Sequence, residues 1–323
     1  MLGDVVGIAP LDESIPFGDP RKSWDKFTTL LQEDLPVRLI AYRHSTQLIN
    51  GQSPLAIVTA SVDRIEMKDF QLSLYKDIIL SGNENEGSGD DHALTARFVM
   101  VARHPITKMA ADVNRLQPDT EAEQNQFKLG EVRKLRRQDE ARKTLLKTPP
   151  SEEEKLLIHN IFLDTIDQSH GTFKTRKKPD NAVWMEIPKL KNICVCFPES
   201  RNLYGKIFGG YIMRKAFELA WTNAAFYCKS RPYIRIVDGI IFRKPVEVGS
   251  LLFLSSQVVY TKKSFLMLKV HAEVVDLDGS RVVTNDFHFT FDSKLDNLPN
   301  ILPKTYAESM IYLDGKRRYE EKS

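Results

Sequence analysis

Long apolar runs are missing from this chain. None approaches the ~20 residues that a helix needs to cross a bilayer, so a helical membrane span is excluded. Cysteine is scarce: Cys194, Cys196 and Cys228 are the whole supply in 323 residues. Three thiols make no disulfide framework and point to a reducing compartment. Net charge is small as well, with 46 Lys and Arg set against 43 Asp and Glu. That balance leaves no footprint for nucleic acid. The seven histidines are scattered without ligand spacing, so no metal site is expected. No GxSxG elbow, P-loop or dinucleotide fingerprint occurs, which removes support for a serine-hydrolase mechanism and for a nucleotide cofactor; no cofactor is expected. The first twenty residues hold several acids and no basic residue before Arg21. That is the wrong composition for a mitochondrial presequence, and the segment reads as an irregular arm.

What is present suits a globular protein large enough for two domains, at 42% hydrophobic and 28% charged residues. The chain is organised around ESRNLYGKIFGGYIMRKAFELAWTNAAFYC, from Glu199 to Cys228. It reads as a loop, a glycine pair and a helix that is apolar around most of its circumference, hence buried. Gly209 and Gly210 remove side chains where the loop enters the helix, so a ligand can approach the backbone there. A helix amino end offers unpaired N–H groups and partial positive charge. A carbonyl oxygen gaining negative charge can sit against such donors. Asn202, ahead of the glycines, can donate to the same oxygen. Glu218, about two and a half turns into the helix, can hold or deprotonate a water. The alternative for Glu218 is an ordinary ion pair with Arg214, four residues earlier.

The two halves of the chain share a pattern. Val62-Asp63-Arg64-Ile65 recurs as Val237-Asp238-Gly239-Ile240, and Thr95-Ala96-Arg97-Phe98 as Thr284-Asn285-Asp286-Phe287. Asp63 to Thr95 spans 32 positions, whereas Asp238 to Thr284 spans 46. The first half is thus shorter by about one strand and its turn, and the deficit falls at the acidic loop NENEGSGDD. An exposed sheet edge is expected there. Strands are expected over 54–67, 76–82 and 92–103, and again over 182–197, 233–242, 250–260, 265–275 and 280–291. A charged helix starting near Glu121 should break at Thr148-Pro149-Pro150, and Ser151 with Glu154 should cap a second helix. Residues 1–115, 116–170 and 171–323 are read as an N-terminal domain, a charged helical linker and a C-terminal domain.

The glycine-helix segment, RPYIRIVDGIIFRKPVEVGSLLFLSSQVVYT after it and ILPKTYAESMIYLDG near the end together resemble the acyl-CoA thioesterase 9 family. The likeness is close over about 181–315 and looser over about 27–105. It implies an α+β tandem hotdog, two antiparallel sheets each wrapped around a central helix. It also implies hydrolysis of fatty acyl-CoA to free acid and CoA, in mitochondria, by direct attack of water without metal or covalent intermediate. Asn202 and Glu218 stand where the family carries its catalytic amide and acid. In the first half, Asp34 is the nearest candidate for the acid, with no glycine before it. Lys206, Arg243 and Lys244 are candidates for the CoA phosphates, and copies of the chain are expected to associate through their sheets. The alternative is a catalytically impaired member that binds acyl-CoA or a protein partner.

Overall fold

The computed structural model describes residues 5–9, 55–67, 78–82, 94–104, 106–107, 109–167, 173, 175–202, 205–276 and 278–320. Its centre is a helix of twenty residues. In chain order the elements are β1 (Val5–Ala9), β2 (Ala56–Met67), β3 (Ile78–Gly82), β4 (Leu94–Arg103), α1 (Glu121–Arg142) and α2 (Glu152–Asp164). There follow β5 (Ala182–Trp184), β6 (Lys189–Val195), α3 (Gly209–Cys228) and β7 (Tyr233–Ile241). The last are β8 (Leu251–Lys262), β9 (Phe265–Val275), β10 (Arg281–Asp292), β11 (Asn300–Leu302) and α4 (Tyr306–Glu320).

Helix α3 forms because its apolar residues recur every three or four positions. Ile212, Met213, Ala216, Phe217, Ala220 and Ala224 are all buried, and small alanines let the helix lie close to the strands. The Phe217 ring stands 5.7 Å from that of Phe289 and 5.9 Å from that of Phe291, both on β10. The helix ends at Lys229, which adopts a left-handed conformation at φ 52°. Strands β6, β8, β9 and β10 supply the face it lies on. Along β9 the alternation holds as expected: Leu266, Leu268, Val270 and Ala272 are buried, while Lys269, His271 and Glu273 on the other face are not. Met267 is the exception on that outer face. It is buried with Val259 and Tyr260 under Ile311 and Tyr312 of α4.

One seven-stranded sheet takes strands from both halves, in the order β4-β2-β7-β10-β9-β8-β6. All its pairings are antiparallel. The helix-and-sheet arrangement is that of a hotdog fold, and the sheets of the two halves run together where β2 pairs β7. The register of that junction is two-fold. Each residue of β2 corresponds by sequence to the one 175 positions later in β7, as Val62 does to Val237. Ser61 faces Ile241 while Glu66 faces Ile236; Val62 faces Ile240 while Ile65 faces Val237. Exchanging the halves maps these four pairs onto one another, while the pair Arg64–Asp238 has no counterpart in the register. Val62, Ile65, Val237 and Ile240 are all buried in one core. Residues three apart reach the same face because β2 shifts register between Val62 and Arg64, and because Gly239 in β7 takes φ +57°.

Two expectations need comment. The first twenty residues are not irregular throughout: Val5–Ala9 is a strand, paired antiparallel with β3 in a small sheet of its own. The helical pattern over 24–44, which includes Asp34, and the acidic loop over 83–91 lie outside the described residues. β4 is the last strand of the large sheet on its side. Both linker helices carry the capping box, Thr120 with Glu123 and Ser151 with Glu154. The 278–279 turn is as the sequence foretells, with Gly279 at φ +84° and Asp278 Oδ1 accepting the Ser280 N–H at 2.8 Å.

Candidate active site at the amino end of α3

The loop that delivers the chain to α3 is closed by Asn202. Its N–H donates to the Lys206 carbonyl at 2.6 Å, and its Oδ1 accepts the Lys206 N–H at 3.1 Å. Gly205, at φ +71°, makes the reversal possible and donates to the Asn202 carbonyl. Arg201 and Ile207 then bridge across the loop, and the Phe208 N–H donates to Ser200 O at 2.9 Å. The bond from the Lys206 N–H takes one of the two lone pairs of Oδ1 and ties the Asn202 carboxamide to the loop. Phe208, the residue capping α3, supplies no side-chain acceptor. In the first turn the Tyr211 N–H donates to the Phe208 carbonyl at 3.1 Å, which leaves the N–H groups of Gly209 and Gly210 for another partner.

What approaches Gly209 most closely is a ring of this same chain. A Cβ on Gly209 would lie 2.9 Å from Cε1 of Phe242 and 3.1 Å from its Cζ. Gly210 is buried. The bared backbone at Gly209 is therefore filled on one side, by a residue with no motif to mark it.

Glu218 is held by two cations: Arg214 Nε reaches Oε1 at 3.0 Å and Lys215 Nζ reaches Oε2 at 2.9 Å. The ion pair with Arg214 that the spacing allows is formed, and Lys215 adds a second. Glu218 is half-buried, at 30% exposure of its side chain. On the helical wheel it lies away from the sheet-facing residues Ala216, Ala220 and Ala224. The nearby phenol of Tyr211 is raised by burial and by the thiol of Cys194, with Lys215 opposing. All three thiols are free, and among the described residues no cluster of His, Cys, Asp or Glu could hold a metal.

The candidate phosphate-binding cations are not equivalent. Lys206 Nζ is paired with both oxygens of Glu247. Arg243 Nη2 donates to Asp286 Oδ2 at 3.2 Å, and Asp286 also meets His271 Nδ1 at 2.7 Å. Lys244 is exposed and makes no ion pair among the described residues. Asp34 lies outside the described residues. Of the residues read from the sequence, Asn202, Lys206, Gly209 and Gly210 thus come together at the start of α3. Glu218 lies further along it. The missed members are Lys215, whose i to i+3 spacing to Glu218 was legible, and Phe242, for which local sequence gives no signal.

Residues 204–283 match the Thioesterase superfamily. Over the whole length, the chain is 42% identical to acyl-coenzyme A thioesterase 9, mitochondrial, of Mus musculus, with 96% of this chain and 76% of that protein aligned. The Homo sapiens protein of the same name is 43% identical over the same shares. Acyl-coenzyme A thioesterase 2, chloroplastic, of Humulus lupulus is 30% identical over 85% of this chain and 70% of its own. Among solved structures, an acyl-CoA hydrolase of Staphylococcus aureus in complex with butyryl coenzyme A aligns at a TM-score of 0.42 and 22% identity. That alignment covers 43% of this chain and 89% of the other.

Proposed function

This chain belongs to the acyl-CoA thioesterase 9 family, and on that premise we propose that it hydrolyses fatty acyl-CoA to free acid and CoA at the amino end of α3. The carrying observation is a helix start without a side-chain cap, entered through a glycine pair from a loop that Asn202 closes. The thioester oxygen gains negative charge as water adds to its carbon. First-turn N–H groups and the Asn202 Nδ2 donors stabilise that charge. The carbon–sulfur bond then breaks, and the proton released from water ends on the departing CoA thiolate. Glu218 orients the water. Arg214 and Lys215 each take one of its oxygens but leave lone pairs on both. Lys206, Arg243 and Lys244 are proposed to meet the CoA phosphates, Lys244 with least to give up.

The test is steady-state release of free thiol from palmitoyl-CoA and butyryl-CoA. Asn202→Ala should lower kcat by about 10²–10³-fold, the cost of one oxyanion donor. Glu218→Gln should lower it by about 10²-fold or more. If Asn202→Ala keeps the wild-type rate, the oxyanion assignment is wrong. A second reading, a member that binds acyl-CoA without turning it over, is favoured by the two cations on Glu218; it requires binding with no thiol released. We further propose mitochondrial residence, supported by the names of the mouse and human relatives, and association of copies through their sheets.

A further inference from the structure

We propose that Phe242 is a positioning residue for the thioester: a wedge by which the first half of the chain holds the oxyanion donors of the second half in place. The inference rests on the site proposed above and adds a residue to it.

Its backbone is fixed from both sides. On one side the Phe242 N–H donates to Ala60 O, on β2, at 3.1 Å. On the other, the Arg243 N–H donates to Thr284 O at 3.1 Å, and Asn285 Nδ2 donates to Ile241 O at 3.0 Å. Position 242 thus lies at the end of the β2–β7 junction, just beyond the Ser61–Ile241 pair. A residue so anchored cannot withdraw without breaking bonds to β2 or β10. Its ring is partly buried against the core and lies on Gly209, the first residue of α3. No Cβ fits between them, so the contact is ring on backbone.

Two consequences follow for the reaction. The ring is a wall of the volume next to the first-turn N–H groups, so a carbonyl bound to those donors lies beside it. The ring also keeps water from that side of the donors, where low dielectric strengthens their hold on the developing charge. Glycine at 209 is then required by Phe242, and the site in the second half depends on a strand of the first.

Kinetics of the full chain test this, using Phe242→Ala, Phe242→Leu, Gly209→Ala and the double variant Gly209→Ala/Phe242→Ala on palmitoyl-CoA and butyryl-CoA. Displacement of a bound group by about 1 Å can cost ~10²-fold, so Phe242→Ala should lower kcat at least tenfold with KM little changed. Gly209→Ala, which drives a methyl into the ring, should lower kcat comparably. The double variant should be no slower than Phe242→Ala alone, because the ring that the methyl strikes is gone. Should Phe242→Ala fail to fold, Phe242→Leu carries the test, with a smaller fall in kcat in the same sense. Wild-type kcat in a folded Phe242→Ala or Phe242→Leu variant would overturn the proposal, as would losses that multiply in the double variant. A wild-type chain that releases no thiol would instead sink the site itself.

Discussion

Arg317 of α4 grips Glu154 of α2 with two parallel bonds, Nε to Oε1 at 2.5 Å and Nη2 to Oε2 at 2.6 Å. The same carboxylate accepts the Ser151 N–H at 2.9 Å and so completes the cap of α2. The Arg317 bonds hold the Glu154 carboxyl below its ordinary range, against the opposing effect of burial. A carboxyl depressed on folding stabilises the folded form above its unfolded pKa, and that contribution is lost as pH falls through the folded value. Glu154→Gln should therefore loosen α2 at neutral pH by about 1.5–3 kcal/mol, the range for hydrogen bonds to a charged group. Amide exchange of α2 reads this out. Wild-type protection should fall once pH drops below about 4.3, the usual glutamate pKa, whereas Glu154→Gln should be weakly protected at both pH values.

Gly315 in α4 sets helix propensity against packing. In an exposed helix interior, glycine to alanine gains about 1 kcal/mol. Here a Cβ would come within 2.9 Å of Val259 Cγ2 and 3.2 Å of Tyr260 Cβ, both on β8. Val259 is β-branched and stiff at χ1, and Tyr260 is buried beneath Tyr312, its ring 5.3 Å away. The helix must lift. Gly315→Ala is expected to lose about 1–3 kcal/mol in urea unfolding, the opposite sign from propensity alone.

Phe217 tests whether the core under α3 is as tight as the ring spacings imply. It is 1% exposed and lies within 6 Å, centroid to centroid, of both Phe289 and Phe291. Phe217→Ala should cost about 3–5 kcal/mol. Phe217→Leu, which keeps most of the volume, should cost clearly less. Equal losses in calorimetric unfolding would show a core that collapses around the gap.

Much of this was legible because the signals are local. The apolar circumference of 211–226, the Ser151–Glu154 box and the Asp278-Gly279 turn each place an element from a few neighbouring residues. Even the junction of the halves left a trace, since the repeated Val-Asp segment falls on β2 and β7. The site was less legible. Glu218 has neighbours at i−4 and i−3 that pair with it whether or not a substrate comes near, so spacing alone could not separate charge pairing from chemistry. Lys206 and Glu247 meet across 41 residues, and Phe242 meets Gly209 across 33. Contacts of that span depend on how β7 leaves the sheet, which no local pattern encodes.

His288 gives the sharpest pH prediction. It sits on β10 at 3% exposure, and neither ring nitrogen makes a hydrogen bond among the described residues. Asp314 Oδ2, on α4, lies 3.4 Å from Nε2. Burial lowers the imidazole to about 4, aided by the charges of Arg318 on α4 and Lys269 on β9 and opposed by Asp314. Asp238 of β7 faces it in register across the sheet. A histidine depressed on folding leaves the folded state with fewer bound protons than the unfolded one. Stability is then complete above the unfolded pKa of about 6.5 and declines as pH falls toward the folded value. Urea unfolding at several pH values between 7 and 4 should show that decline in the wild type and a shallower one in His288→Gln, which cannot take up the proton. Parallel declines would assign the lost stability to other groups and leave His288 without a part in it.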